Sequence, residues 1–185
     1  MTILTVKLTP KTWIRAPLTT KEQVKRYIER GWLPKEAEIL DRAFPRTGEG
    51  KAYIPKAWLE AALVRAASIL GLEREAARSK WRIVEETNGL TLPKDYIEID
   101  DQPLRYSRAI VGAPKQTVEN FEYIDGTYTL SFKVEVEESE APKFLQLLAV
   151  AGEVGLMSKT GKGYGKFRCE VKIEEKEESR RKRKT

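Results

Sequence analysis

The sequence has 185 residues, of which 41% are hydrophobic and 34% charged, with a formal net charge of +6 and a pI near 9.3. A chain of this size and composition can bury one substantial core, and no run in it nears the roughly 20 apolar residues of a membrane-spanning helix. It contains no histidine and one cysteine, Cys169, which excludes an internal disulfide and leaves no nitrogen and sulfur ligand set for structural zinc.

Leu4, Val6 and Leu8 alternate with Thr5 and Lys7, the period-2 pattern of a half-buried strand that Pro10 ends. Thr20 to Gln23 (TKEQ) reads as a capping box opening a short helix that Gly31 stops, and Pro34 can start a second helix running to about Phe44. Arg46 to Lys51 is a glycine-punctuated loop. A longer helix begins after Ile54 and Pro55. Its Trp58, Leu59, Ala62, Leu63, Ala66, Ile69 and Leu70 trace one face before Gly71.

The stretch from Glu73 to Pro114 holds strand-like pieces at Trp81 to Val84, Tyr96 to Ile99 and Tyr106 to Val111, broken by Asn88-Gly89, Pro93 and Pro103. A hairpin is expected next, with Val118 to Ile124 and Thr127 to Glu137 joined by a type I′ turn at Asp125-Gly126. Beyond Pro142, the spacing of Phe144, Leu147, Leu148 and Ala151 predicts a helix ended by Gly152 or Gly155. Phe167, Cys169, Val171 and Ile173 then alternate in a last strand.

Taken in order, these elements spell strand, helix, two hairpin strands, helix, strand. That is an α+β, ferredoxin-like (βαββαβ) chain whose antiparallel sheet is covered on one face by two helices. The expected organisation is a single domain over residues 1–176, with helical or irregular insertions at about 10–50 and 72–115 and a disordered basic tail over 177–185. That tail includes Arg180 to Lys184, without which the net charge is about +1. A binding face on the folded part must therefore arise by charge segregation. The wealth of charge over heat-labile amides points to a thermophilic source. The N-terminus has no signal-peptide pattern, so a cytoplasmic location is expected.

The segment Gly155 to Arg168 (GLMSKTGKGYGKFR) concentrates the chemistry. Glycines at 161, 163 and 165 permit close backbone approach to phosphate, Lys159, Lys162, Lys166 and Arg168 neutralise charge, and Tyr164 offers a ring for an unpaired base. The plain alternative is a mobile connection kept soluble by its lysines. A phosphate-cradling P-loop is excluded on three counts: Gly161 and Gly165-Lys166 are one residue too close, Phe167 replaces the hydroxyl residue, and a strand follows instead of a helix. A dinucleotide fingerprint fails for the same missing helix.

Two segments, GKAYIPKAWLEAALVRAA at Gly50 to Ala67 and AGEVGLMSKTGKGYGKFRCEV at Ala151 to Val171, resemble the RAMP superfamily of CRISPR-associated proteins. The resemblance implies a ferredoxin-like or RNA-recognition-type domain, a glycine-rich loop leading into the last strand, and subunits lined up along a nucleic-acid strand. The histidine that many guide-processing members use is missing here.

The outward positions of the predicted sheet (Thr129, Ser131, Lys133, Glu135; Arg168, Glu170, Lys172) carry no aromatic platform, so a strand is expected over the loop and not across the sheet. Arg105 and Arg108, flanking Tyr106, are further candidate nucleic-acid contacts, as is the pair Trp13 and Arg15. Lys56 and Arg65 on the long helix are second-tier. Trp58 reads as core. Asp41 and Asp100-Asp101 are the only carboxylates worth testing for metal-assisted cleavage, and they read more simply as turn residues.

The expected function is non-catalytic binding of single-stranded nucleic acid, RNA ahead of DNA, as a homo-oligomer or ribonucleoprotein subunit, with no cofactor and no metal. The alternatives are a metal-independent endoribonuclease that processes guide RNA, using Tyr164 or a lysine, and a protein-interaction subunit that docks on a nucleic-acid complex.

Overall fold

A computed structural model describes residues 1–99, 105–111, 116–157 and 160–174. In chain order the strands and helices are β1 (Thr2–Pro10), β2 (Ile14–Arg15), α1 (Lys21–Glu29), β3 (Tyr53–Pro55), α2 (Lys56–Leu70), α3 (Arg74–Arg78), β4 (Trp81–Thr87) and β5 (Leu90–Lys94). There follow β6 (Tyr96–Glu98), β7 (Arg105–Val111), β8 (Thr117–Ile124), β9 (Leu130–Val136), α4 (Ala141–Val154) and β10 (Phe167–Ile173). Short 3₁₀ turns occupy Lys35–Ile39 and Thr160–Lys162.

The main sheet is antiparallel in the order β10-β1-β9-β4-β5. Alternation decides its inner face: Leu4, Val6 and Leu8 on β1 and Val134 and Val136 on β9 are fully buried beneath the helices. The long helix α2 buries Leu59, Ala62, Leu63, Ala66 and Ala67, and α4 buries Phe144, Leu147, Leu148 and Ala151; the two pack side by side. Gly71 closes α2 in the left-handed region, and Trp81 anchors the start of β4 against Phe144, with its indole N–H donated to the Ala77 carbonyl at 2.6 Å. The set β1-α2-β4-β9-α4-β10 is the ferredoxin-like motif, with β5 added at one edge. Among the described residues no helix is long and apolar enough to cross a membrane.

The second strand of the motif differs from the sequence expectation. It is β4, from the stretch read as an insertion, and the expected Asp125-Gly126 hairpin does not form: β8 pairs with β7 and β2, while β9 lies between β1 and β4. Both edges of β9 are thus taken. The four consecutive residues Phe121 to Ile124 are all buried, which needs cover on both faces of β8. Gly126 stays out of the positive-φ region, and Asp125 instead accepts a bond from the Thr127 amide at 3.0 Å in an Asx turn. The I′ turn is at Asn88-Gly89, with φ of 51° and 76°, joining Thr87 to its partner Leu90.

The first insertion carries α1, capped as expected by Thr20 accepting from the Gln23 amide at 3.1 Å. The expected second helix is only the Lys35–Ile39 turn. A small core of Val24, Tyr27, Leu33, Ala37, Leu40 and Ala43 holds this insertion together. Glu122 ties it to β8: the carboxylate is fully buried, accepts the Phe44 amide at 2.9 Å, and is forked by the Arg46 guanidinium at 2.5 and 2.8 Å. Gly50, at φ 88°, is held against the Trp32 ring, which leaves no space for a side chain.

Candidate nucleic-acid interface

The described residues of the glycine-rich segment, 155–157 and 160–168, fold between α4 and β10. Gly155 ends α4 with φ of 102°, and Gly165 takes φ of 82°. A Cβ on Gly165 would overlap the Leu156 carbonyl oxygen, and one on Gly155 would lie 2.8 Å from the Tyr164 oxygen. The two ends are clamped by the Leu156 amide donating to Gly165 at 2.9 Å, with Leu156 and Met157 buried beneath. From α2, the Arg65 guanidinium donates to the Thr160 hydroxyl at 3.0 Å and braces the loop from outside.

Two of the glycines therefore serve packing, and several amides are engaged within the protein. The Gly163 amide donates to Thr160, the Gly165 amide to the Trp13 carbonyl at 2.8 Å, and the Lys166 amide to the Thr12 hydroxyl at 2.9 Å. Lys162, beside the open Gly161, is exposed, as is Arg168, while Lys166 is half-buried; none of the three has an ion-pair partner among the described residues. The nearby carboxylate, Glu153, is bound to Lys11 at 2.8 Å; that hydrogen bond holds it below the usual carboxylate range, with Lys166 adding to the effect. Lys159 lies outside the described residues.

Tyr164 is drawn into an aromatic and arginine cluster. Its half-buried ring meets Phe121 edge-on at 6.4 Å and lies 4.9 Å from the guanidinium of Arg15. Arg15 is itself buried over Phe121 at 3.7 Å and donates to Glu119 at 2.5 Å, which Arg42 also grips at 2.6 Å. Burial pulls the Arg15 guanidinium below its ordinary pKa, with Glu119 opposing, and its Nε has no hydrogen-bond partner among the described residues. Next in the cluster, Trp13 stacks on Tyr123 with centroids 4.0 Å apart and planes 17° from parallel. The sequence paired Trp13 with Arg15; their closeness to the loop, through Gly165, had no local signal.

The arginines of β7 do not join the loop together. Arg105 pairs in register with Tyr123, whereas Arg108 sits opposite Asn120, on the other face of the small sheet from Phe121 and Tyr123. There Arg108 and Tyr106 line a cavity of about 400 Å³ with Glu36, Ile39 and Leu40. Lys56 lies 4.6 Å over the Trp81 ring, and Trp58 is partly buried against the core. Asp41 accepts the Asn120 amide at 2.8 Å and pairs with Lys21 at 3.3 Å, a structural role; Asp100-Asp101 lie outside the described residues.

On the outer face of the main sheet the central charges, on β4 and β9, are neutralised from within. Lys133 bridges Glu86 at 2.9 Å and Glu174 at 2.8 Å, and Arg82 holds Glu135 at 2.6 Å. These bonds raise the pKa of Lys133 and lower that of Glu174. Bases find no aromatic platform among these strand positions. At the β10 end, Arg168 pairs in register with Thr9, next to Lys166 and the loop.

Fold and site together define an α+β protein of ferredoxin-like architecture with a braced, basic loop at one end of its sheet. No family model matches the sequence, and no curated protein matches it. Among solved structures, the chain is similar to one from the cryo-EM structure of Type III-B Cmr-beta bound to cognate target RNA, with a TM-score of 0.63 over 93% of this chain at 11% identity. At that identity the likeness is one of fold. The protein spans 60% of the length of that chain.

Proposed function

We propose that this protein is a non-catalytic, single-stranded RNA-binding subunit of a ribonucleoprotein of the CRISPR-associated RAMP kind, held in the cytoplasm and assembling in copies along its strand. The observation that carries this reading is a contrast in charge. In the middle of the sheet Lys133 and Arg82 are paired with Glu86, Glu174 and Glu135, while at the loop Lys162 and Arg168 form no ion pair among the described residues and Lys166 faces only Glu153, which Lys11 already binds. Cations left unpaired on a rigid support are the arrangement that a phosphate chain neutralises with release of its own counterions. The fold likeness to a chain from a target-RNA-bound assembly favours RNA over DNA.

Fluorescence anisotropy with labelled single- and double-stranded RNA and DNA tests the proposal, with gel analysis of the same RNA after prolonged incubation. The expected result is tightest binding to single-stranded RNA, weakening steeply with salt, and an intact oligonucleotide. Equal affinity for all four ligands, salt-insensitive binding, or cleaved RNA would overturn it.

A further inference from the structure

We infer that Trp13 is the stacking platform for an unpaired nucleobase, a role the sequence attached to Tyr164; this inference rests on the RNA-binding reading above. Among the described aromatic rings, only Trp13 at 38% and Tyr106 at 41% count as exposed, and Tyr106 lies on the far face of the small sheet beside Leu40. Trp13 is thus the exposed ring on the side of the loop.

Tyr123 covers one face of the indole in a near-parallel stack, and the Phe121 ring lies 6.4 Å away, tilted at 54°. The side chain is held from two directions. Tyr123 is only 9% exposed and fixes the ring plane, while the Trp13 carbonyl accepts from the Gly165 amide and fixes the backbone. An immobile aromatic face loses little conformational entropy when a base lands on it, and a base there would extend the Tyr123–Trp13 stack by one member.

The charge beside it suits a nucleotide better than an apolar protein segment. Thr12, the preceding residue, binds the Lys166 amide, which brings the chain of Lys166 alongside Trp13, with the exposed Lys162 on the same loop. The ligand class is a single-stranded nucleotide: base on Trp13, neighbouring phosphates on Lys162 and Lys166. Base–aromatic stacking is tolerant of base identity, so little sequence preference is expected.

The test compares single-stranded RNA with an abasic oligonucleotide of equal length and charge. Trp13→Leu, which keeps apolar bulk against Tyr123 but removes the aromatic face, is expected to weaken binding of base-bearing RNA by about tenfold and leave abasic binding unchanged. An equal loss on both ligands, or on neither, overturns the inference while leaving the RNA-binding reading in place. If the unsubstituted protein binds neither ligand, both fail. Should Trp13→Leu unfold, photocrosslinking of 5-iodouridine RNA to the unsubstituted protein decides: an adduct mapped to Trp13 supports the inference, and adducts only elsewhere overturn it.

Discussion

Replacing Gly165 by alanine asks whether the loop is a rigid support or a slack connection. The new Cβ would overlap the Leu156 carbonyl oxygen and lie 2.7 Å from the Leu156 nitrogen, against backbone that is buried and cannot swing aside. Ordinary contact between such atoms needs about 3.5 Å, so Leu156 or Gly165 must move by roughly 1 Å. That displacement breaks the Leu156-to-Gly165 bond at 2.9 Å and the Gly165-to-Trp13 bond at 2.8 Å. At about 1 kcal/mol net for each bond, plus about 1–2 kcal/mol for a side chain at positive φ, the loss is about 3–4 kcal/mol. Gly161→Ala is the control: nothing lies within 4 Å of its Cβ and its φ is not positive, so its effect should stay within about 0.5 kcal/mol. Urea unfolding followed by far-UV circular dichroism measures both. A cost below about 1 kcal/mol for Gly165→Ala would refute the clamped-loop account.

Two further expectations concern the frame around the site. Glu122→Gln leaves the Arg46 guanidinium, only 4% exposed, without its charged partner, and should destabilise the protein by about 3–5 kcal/mol in the same unfolding assay; a loss under about 1 kcal/mol contradicts its role as the tie between β8 and the first insertion. Lys133→Met removes the bridge between Glu86 and Glu174. Glu174 is depressed in the folded state, so its contribution is present above its unfolded value and is lost as pH falls through the folded one; Lys133 is raised, so its contribution is present below its unfolded value and lost as pH climbs through the folded one. The stability difference between parent and variant should therefore be flat across neutral pH and shrink below about pH 4 and above about pH 10. Urea unfolding across pH checks this, and a difference that grows at either extreme contradicts it.

The sequence revealed what local periodicity encodes. The apolar stripe from Trp58 to Leu70, the alternation of Leu4, Val6 and Leu8, and the cap at Thr20 all depend on neighbours a few residues away, and each became the expected element, although Ile69 of the stripe is exposed. Strand pairing was less legible because it depends on which edges remain free. Asp125-Gly126 and Asn88-Gly89 are equivalent turn signals on paper, and only the second joins strands whose edges are available to each other. The site was half legible. Lys162, Lys166 and Arg168 stood out by composition, but the use of Gly155 and Gly165 for backbone packing, the contact of the half-buried Tyr164 with Phe121 and Arg15 and the stack of Trp13 on Tyr123 are long-range facts. The Arg46–Glu122 pair, whose partners are 76 positions apart, is of the same kind.

The most direct test of the central claim is the salt dependence of single-stranded RNA binding by the parent and by a Lys162→Ala, Lys166→Ala, Arg168→Ala variant, measured by anisotropy. With about 0.7 counterions released per neutralised phosphate on a single strand, losing three cations should lower the slope of log affinity against log salt by about 2, with weaker binding at low salt. Identical slopes and affinities for the two proteins would contradict the assignment of the phosphate contacts to this loop.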